Sequence, residues 1–462
     1  MKVALISPKG PLYRSTGGIF RKSLRYQPLT LTTLAALAPP ELDVQFELLD
    51  EGTRDIPLDL DADLVGMTVI TGSSTRAYEL AAHYRRRGIK VVLGGPHVTL
   101  LPDEAQMHAD AICTGYAELS WPELLRDFSK GALKRRYTQS PALDLAGMPF
   151  ARRELMSPRD YLTQAVFEAT RSCAHDCEFC VAPSAWGRKQ LQKPVDEVVA
   201  DIRQFGARRL IFIDLNLISD KRYARELFTA LVPLRVKWFG LSTSLIGRDP
   251  DLMELMARSG CSGLLIGFET MGREALGDIG KKFNDPALYA QLVADLHRLK
   301  ISIQGCFVFG NDHDDLGVFE RTADFVIDVG MDLPRFAILT PFPGTPLHHR
   351  FEKEGRILTR NWELYDGQHV VHMPKQMTPR QLQEGHERAW KAAYSRRAIF
   401  KRIAKSRVQI PISIACNLGY RFYAHHLHTH YNCDWPLVAT ATDLKGVGEM
   451  RDAMPRRRTA AR

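Results

Sequence analysis

The stretch Cys173-Ala-His-Asp-Cys177-Glu-Phe-Cys180 gathers three thiols within eight residues, and the rest of the chain can be read outward from it. Spacings of three and two residues suit a loop that wraps one corner of a cubane iron–sulfur cluster. Four cysteines are the rule for such clusters, so three leave one iron open to bind something else. Zinc competes for the same residues, but a structural zinc prefers four closed ligands, and there is no second Cys/His pair at finger spacing. His175 lies inside the loop, where it cannot easily reach round the same metal. Three incidental cysteines are the remaining alternative. Cys113, Cys261, Cys306, Cys416 and Cys433 are scattered too widely for the disulfide framework of a small secreted domain.

The cysteine stretch begins just past the first strand of an alternating block. Ala165–Arg171, Arg209–Asp214, Trp238–Ser242, Leu264–Glu269, Ile303–Phe309 and Arg335–Thr340 are six strand candidates, separated by helical patterns at Val195–Phe205, Asp251–Ser259, Leu288–Leu299 and Phe319–Val329. Six β/α units predict a partial barrel over residues 161–350, with its chemistry at the strand C-termini. Ahead of it, residues 1–140 alternate in the same way. Lys2–Ser7, Asp43–Leu49, Leu64–Thr71, Lys90–Leu93 and Ala111–Gly115 read as buried strands, and Thr75–Arg87 as a helix with apolar positions 77, 80, 81 and 84 on one face. This is the pattern of a doubly wound parallel sheet, whose ligand lies at the strand carboxyl ends near the switch point. Small residues fall there: Thr71-Gly72-Ser73-Ser74, Gly94-Gly95-Pro96-His97 and Gly115.

Between the two blocks, the proline-bearing stretch Ser140–Pro158 has no clean period and reads as a linker, set at 141–160. After Pro346 the pattern becomes helical and basic, giving an accessory helical region over 351–462. Its helix Ser395–Arg407 could lie on anionic lipid with Ile399, Phe400 and Ile403 inward, although a solvated face packed on its own domain is the commoner arrangement. Pro455–Arg462 reads as a frayed basic tail.

Composition sets wide bounds. The 462 residues predict two to three domains at ~150 residues each. At 45% hydrophobic and 25% charged, the chain is ordinary globular protein. No apolar run reaches the ~18 residues of a membrane span, and MKVALISP is too short for a secretory core, so a cytoplasmic protein is expected. The net charge, 62 − 53 = +9, permits anionic partners without choosing among them. No aromatic-interleaved basic sheet argues for nucleic acid.

The cysteine spacing resembles the signature of the radical S-adenosylmethionine (SAM) superfamily over roughly residues 160–350. The resemblance implies a [4Fe-4S] cluster on Cys173, Cys177 and Cys180. Its open iron would chelate SAM, and one electron would cleave the cofactor to a 5′-deoxyadenosyl radical. The protein orients the radical and keeps water and oxygen out. An electron donor such as flavodoxin or ferredoxin is implied as well. Residue by residue, Phe179 occupies the place of an aromatic whose backbone approaches the adenine. Asp214 and Asn216 end the second strand, where relatives often carry consecutive acids; here Leu215 fills the second acidic place. Ser242 and Ser244 end the third strand, where polar groups commonly meet SAM. Gly267-Phe-Glu269 resembles the glycine–apolar–glutamate ending of the fourth strand. For these strand-end residues, a cap or turn is the alternative.

The front domain, with Gln27-Pro28-Leu-Thr-Leu-Thr-Thr-Leu and Gly94-Gly95-Pro96-His97-Val-Thr99, resembles the cobalamin-binding domain of the group that contains the magnesium-protoporphyrin cyclase and the hopanoid methylase. Thr71, Ser73, Gly94 and Gly95 are expected against the corrinoid. Gly115 and Glu118 resemble the G-E-x-E turn of relatives, with Tyr116 departing from it. The Asp-x-His-x-x-Gly motif that supplies a cobalt ligand elsewhere is missing; Ser7-Pro-Lys-Gly-Pro-Leu-Tyr-Arg stands in its place. His97 is the nearest candidate, but a Gly-Gly-Pro-His turn is more often a structural contact or a contact to the nucleotide tail, so cobalt without a histidine below it is expected. An empty, vestigial Rossmann-like fold is the alternative, and the dinucleotide fingerprint is absent. Thr340-Pro-Phe-Pro-Gly-Thr-Pro346 reads as a rigid turn at the barrel mouth, with a substrate contact as the second reading. The region after residue 350 resembles the accessory domain of hopanoid methylases, and a lid or substrate-selecting surface is expected. The resemblance implies methyl transfer to an unactivated carbon of a small-molecule or lipid-like substrate. Alternatives are a cyclase or rearrangement enzyme with the same cofactors, or transfer of the aminocarboxypropyl arm of SAM without cobalamin.

Overall fold

The computed structural model describes residues 1–10, 26–139 and 143–427. Residues 11–14 of the segment replacing the histidine motif, Ser140 at the head of the linker, Cys433 and the tail Pro455–Arg462 lie outside the described residues.

Two six-stranded sheets carry the chain, and both are parallel throughout. The first contains β1 (Lys2–Ser7), β2 (Gln45–Asp50), β3 (Leu64–Thr68), β4 (Lys90–Gly94), β5 (Ala111–Thr114) and β6 (Arg136–Thr138), in the order β2-β1-β3-β4-β5-β6. The order reverses between β1 and β3, which is where a doubly wound sheet opens a crevice. The inner strands β1, β3, β4 and β5 are short, largely buried apolar runs, as in a parallel sheet covered on both faces. The sequence expected five of these strands; β6 was missed because Arg-Tyr-Thr pairs as an edge strand with a single buried side chain, Tyr137.

The second sheet follows chain order, β14-β13-β12-β11-β10-β7, as an open barrel of β/α units. Its strands are β7 (Val166–Phe167), β10 (Arg209–Phe212), β11 (Lys237–Ser242), β12 (Cys261–Glu269), β13 (Ser302–Phe309) and β14 (Arg335–Ile338). The six expected strands are present, with one change. Ala165–Arg171 breaks after Phe167, and Thr170–Arg171 (β8) turns away to pair antiparallel with Leu191–Gln192 (β9). The break has a cause: the Ala169 and Thr170 amides donate to the Asp214 carboxylate instead of to a neighbouring strand.

The segment read as a linker is packed rather than loose. Arg153 is buried, donates both terminal nitrogens to Asp201 at 2.9 Å and to Val166 O, and lies over the Phe167 ring. Among the described residues, no helix is long and apolar enough to cross a membrane.

The basic helix is Arg396–Ser406, and only part of its expected apolar face is exposed. Ile399 is buried and Ile403 packs on the barrel core, which leaves Phe400 outward, 74% exposed. Arg402, one of its basic residues, is fully buried. It donates to Met331 O, Asp332 O, Ala393 O and Asn417 Oδ1 at 2.7–3.0 Å and so joins this helix to the turn ahead of β14, to the end of the helix Pro379–Ala393 and to the next helix, Ile410–His425. Burial lowers its pKa from the ordinary guanidinium value. Arg402→Ala removes the Arg402 partner of Met331 O, Ala393 O and Asn417 Oδ1, and a loss of about 3 kcal/mol is expected in urea unfolding.

Candidate active site

The strand C-termini of the two sheets face each other across a cavity of about 400 Å³. From the first sheet it is lined by Gly66, Gly94, Gly95, Pro96, Cys113 and Gly115, and from the barrel side by Glu168, Thr170, Arg171, Ser172, Ile213 and Leu215. Most of its lining is apolar. Gly95 and Gly115 are needed for their backbones: at φ 103° and 79°, an added Cβ would strike Val69 at 2.8 Å and Gln139 O at 2.6 Å.

The structure sorts the residues expected against a corrinoid. Gly94, Gly95, Gly115 and Glu118 line the cavity. Thr71, Ser73 and His97 do not. Ser73 folds back on Ile70, and Thr71 Oγ1 meets His97 Nδ1 at 3.3 Å. His97 is fully buried, with Nε2 against Tyr78 Oη at 3.1 Å and Glu104 Oε1 at 3.3 Å. The side chain that this turn presents to the cavity is Ile70, 53% exposed. Glu118 forms a buried ion pair with Arg171, which also reaches Glu168 at 2.8 Å, so a line of charge joins the two sheets.

The cysteine loop follows β8 and is held from outside. Glu178 N donates to Ile279 O and Glu178 O accepts from Leu347 N, each at 3.1 Å. The Glu178 carboxylate accepts from Arg350 Nη2 at 2.8 Å, and Arg350 also reaches Asp312 at 3.0 Å. Phe179 packs with Leu339, Leu347 and Phe351. His175 stacks on Phe283 at 4.1 Å. Burial pushes the Cys177 thiol up to about 12 and raises Cys180, so metal binding must displace protons there. The buried Lys281 ammonium lies close enough to both sulfurs to favour their thiolates. Burial alone would depress it, yet Glu269 and the sulfurs outweigh that and hold it above the ordinary lysine range.

At the barrel strand ends, the expected residues divide into supports and free groups. Asp214 is buried beneath Ala169 and Thr170, and burial pushes its carboxyl up to about 7. Ser244 Oγ donates to Asn284 Oδ1 and Ser242 Oγ to Thr243 O. Glu269, at φ 67°, pairs with Lys281. Gly267 is needed for that pair, since a Cβ there would lie 2.2 Å from Glu269 Oε1 and 2.8 Å from Lys281 Nζ. Buried polar atoms with no hydrogen-bond partner among the described residues include Tyr116 Oη and Glu118 Oε2, on residues that line the cavity, and Asn216 Nδ2 and Thr243 Oγ1, just past the ends of β10 and β11. Orphaned groups of this kind, beside a glycine-lined cavity and a three-thiol loop, fit bound cofactors.

Sequence reasoning missed Lys281, Thr243, Arg171, Arg350 and the Tyr116–Trp186 pair, whose rings stack at 6.1 Å and 8° in the cavity wall. Arg171 had a usable signal, because it stands two residues before the first motif cysteine.

This arrangement defines a radical enzyme built from a corrinoid-type sheet and an open-iron barrel. Family models for the B12 binding domain match residues 41–125, those for the radical SAM superfamily match 167–325, and a domain of unknown function matches 345–413. The chain is 33% identical over 388 residues to the bacteriochlorophyllide d C-12(1)-methyltransferase of Chlorobaculum tepidum, covering 81% of this chain and 84% of that protein. It is 30% identical over 362 residues to the C-8(2)-methyltransferase of the same organism, covering 74% and 80%. The radical SAM methyltransferase TsrM of Kitasatospora setae, solved with cobalamin and a [4Fe-4S] cluster, superposes with a TM-score of 0.62 at 18% identity, over 76% of this chain and 78% of that one. The chain belongs to the cobalamin-binding radical SAM methyltransferases.

Replacing Cys173, Cys177 or Cys180 with Ala should abolish reductive cleavage of SAM, while Cys113, Cys261 and Cys306 should tolerate Ala with iron content unchanged. His97→Ala should leave the paramagnetic spectrum of bound cob(II)alamin unchanged; nitrogen splitting that vanished in the variant would contradict the buried position of that ring. The raised Asp214 pKa means that the folded state holds this proton between about pH 4 and 7, so the group's contribution to stability falls as pH rises through that window. A protonated carboxyl band in the infrared spectrum at pH 6, absent in Asp214→Asn, checks it.

Proposed function

We propose that this chain adds a methyl group to an unactivated carbon of a planar, apolar ring substrate of the tetrapyrrole class. The observation that carries the substrate class is the barrel face of the cavity. Ile213 and Leu215 line it at the end of β10, with Leu215 41% exposed, where relatives often place an acid. An apolar face there and the flat Tyr116–Trp186 wall suit an extended ring better than a polar metabolite. The two relatives named as bacteriochlorophyllide d methyltransferases support the same class.

Cys173, Cys177 and Cys180 hold the cluster in this reading. Asn216 Nδ2 and Thr243 Oγ1 are free to meet SAM. Asp214, Ser242, Ser244, Gly267 and Glu269 fix the strand ends from behind, and Phe179 anchors the cysteine loop. Gly94, Gly95, Gly115 and Glu118 border the corrinoid, while Thr71, Ser73 and His97 hold the turn that presents Ile70. When bound, the cluster and SAM supply the one-electron chemistry that breaks an unactivated C–H bond, and the corrinoid supplies the methyl group. A reducing, cytoplasmic setting and a small electron donor such as flavodoxin or ferredoxin belong to the same proposal, since all the described cysteines are free thiols.

With methyl-deuterated SAM and a bacteriochlorophyllide d substrate, the product should carry the three deuteriums of one methyl group. S-adenosylhomocysteine and 5′-deoxyadenosine should form in roughly equal amounts. 5′-Methylthioadenosine as the main coproduct, or a product without deuterium, would sink the methyl-transfer reading. SAM turnover with no product from the ring compound would remove the substrate class alone.

A further inference from the structure

The helix Ile410–His425 is turned with its polar side inward. Its buried residues are Ser413, Asn417 and Ala424, whereas Ile410, Ile412, Ile414 and Leu418 are exposed, Leu418 at 58%. Ile410, Ile414 and Leu418 recur every four residues and so form one stripe. The orientation is fixed by hydrogen bonds. Asn417 Oδ1 accepts from the buried Arg402 at 2.8 Å, and Asn417 Nδ2 donates to Asp332 O at 3.1 Å and to Ser413 O at 2.9 Å. Rotating the helix to bury the isoleucines would strand a buried guanidinium and amide, which costs more than the exposed stripe.

The neighbouring helix adds charge. From Ser395 to Leu427 the sequence holds seven Lys and Arg residues and no Asp or Glu. Arg396, Arg397 and Arg407 are exposed and form no ion pair among the described residues, and Phe400 on the same helix as Arg396 and Arg397 is exposed as well. Lys401 reaches Asp328 at 3.9 Å and Lys405 bonds Asp328 O, so Asp328 is the one acid bordering this face among these contacts.

We propose that this two-helix face docks on the surface of an anionic lipid bilayer, with Ile410, Ile414, Leu418 and Phe400 entering the interface and Arg396 and Arg397 meeting lipid headgroups. Charge decides the occupant. A second copy would bring the same basic surface against itself. The chain's own residues 428–462 carry 6 − 4 = +2 and offer no complement. An anionic bilayer complements both the apolar stripe and the basic border. The proposal is independent of the substrate assignment above.

The test is sedimentation of the full-length, cluster-loaded protein with phosphatidylglycerol/phosphatidylcholine vesicles and with pure phosphatidylcholine vesicles. Binding to the anionic vesicles only is expected, weakened about thirtyfold in Arg396→Gln/Arg397→Gln, where two headgroup contacts are lost. Ile414→Asp/Leu418→Asp should abolish binding while leaving the thermal unfolding profile unchanged, because both side chains are already in solvent. Equal binding to neutral vesicles, wild-type binding by either variant, or no binding at all would overturn the proposal. So would a dimer in light scattering that Ile414→Asp/Leu418→Asp dissolves, or binding seen only after residues 428–462 are removed.

Discussion

Three sulfurs must meet one metal corner from a loop with few backbone hydrogen bonds of its own, so the loop's neighbours have to carry it. Glu178, between the second and third cysteines, is the point where they converge. Its amide is tied to Ile279, its carbonyl to Leu347 and its carboxylate to Arg350. Phe179 beside it is packed under Phe351, which lies between the Arg350 and Arg356 guanidinium groups at 5.0 and 3.9 Å. These contacts fix the loop at Glu178 and Phe179, between the second and third cysteines. Metal binding there must still displace protons from buried sulfur, which the Lys281 charge favours.

How far the sequence could be read follows from the range of each interaction. The inner strands of the first sheet were legible because burial on both faces leaves continuous apolar runs, the barrel strands because their buried positions alternate, and the cysteine triad because its ligands lie on one loop. The strand break at Glu168 was not legible, since it depends on Asp214, more than forty residues away. Nor was the inward turn of His97: a Gly-Gly-Pro-His sequence gives no sign that Glu104, Tyr78 and Thr71 close round the ring. Ile399 and Ile403 failed as a lipid-facing pair for a related reason. The amphipathic pattern of Arg396–Ser406 is satisfied by the barrel, and the outward apolar stripe belongs to a helix whose polar residues are the buried ones.

Glycine readings split along the same line. Gly95 and Gly115 serve the turns that border the cavity, as their positive φ requires. Gly267 has no positive φ to explain it; the space beside it is filled by the Glu269–Lys281 pair. A strand-end motif can therefore act on the cluster indirectly, by placing a cation next to the sulfurs.

The region beyond Pro346 ties the two sheets together, and the ties differ in strength. On the barrel side Arg350 grips the cysteine loop. On the other side, Trp362 Nε1 donates to Glu104 at 3.1 Å, and Glu104 in turn holds His97. A second tie, Arg171–Glu118, crosses the cavity itself with both groups largely buried. Separating that pair would leave a desolvated charge on each side, about 3–5 kcal/mol by the usual cost of breaking a buried pair. The Trp362–Glu104 contact is partly open to solvent and retains water as a replacement partner, about 1.5–3 kcal/mol at most for a hydrogen bond to a charged group. Of these two ties, Arg171–Glu118 is therefore the stronger. His97, fully buried against Glu104, thus supports the weaker of the two ties.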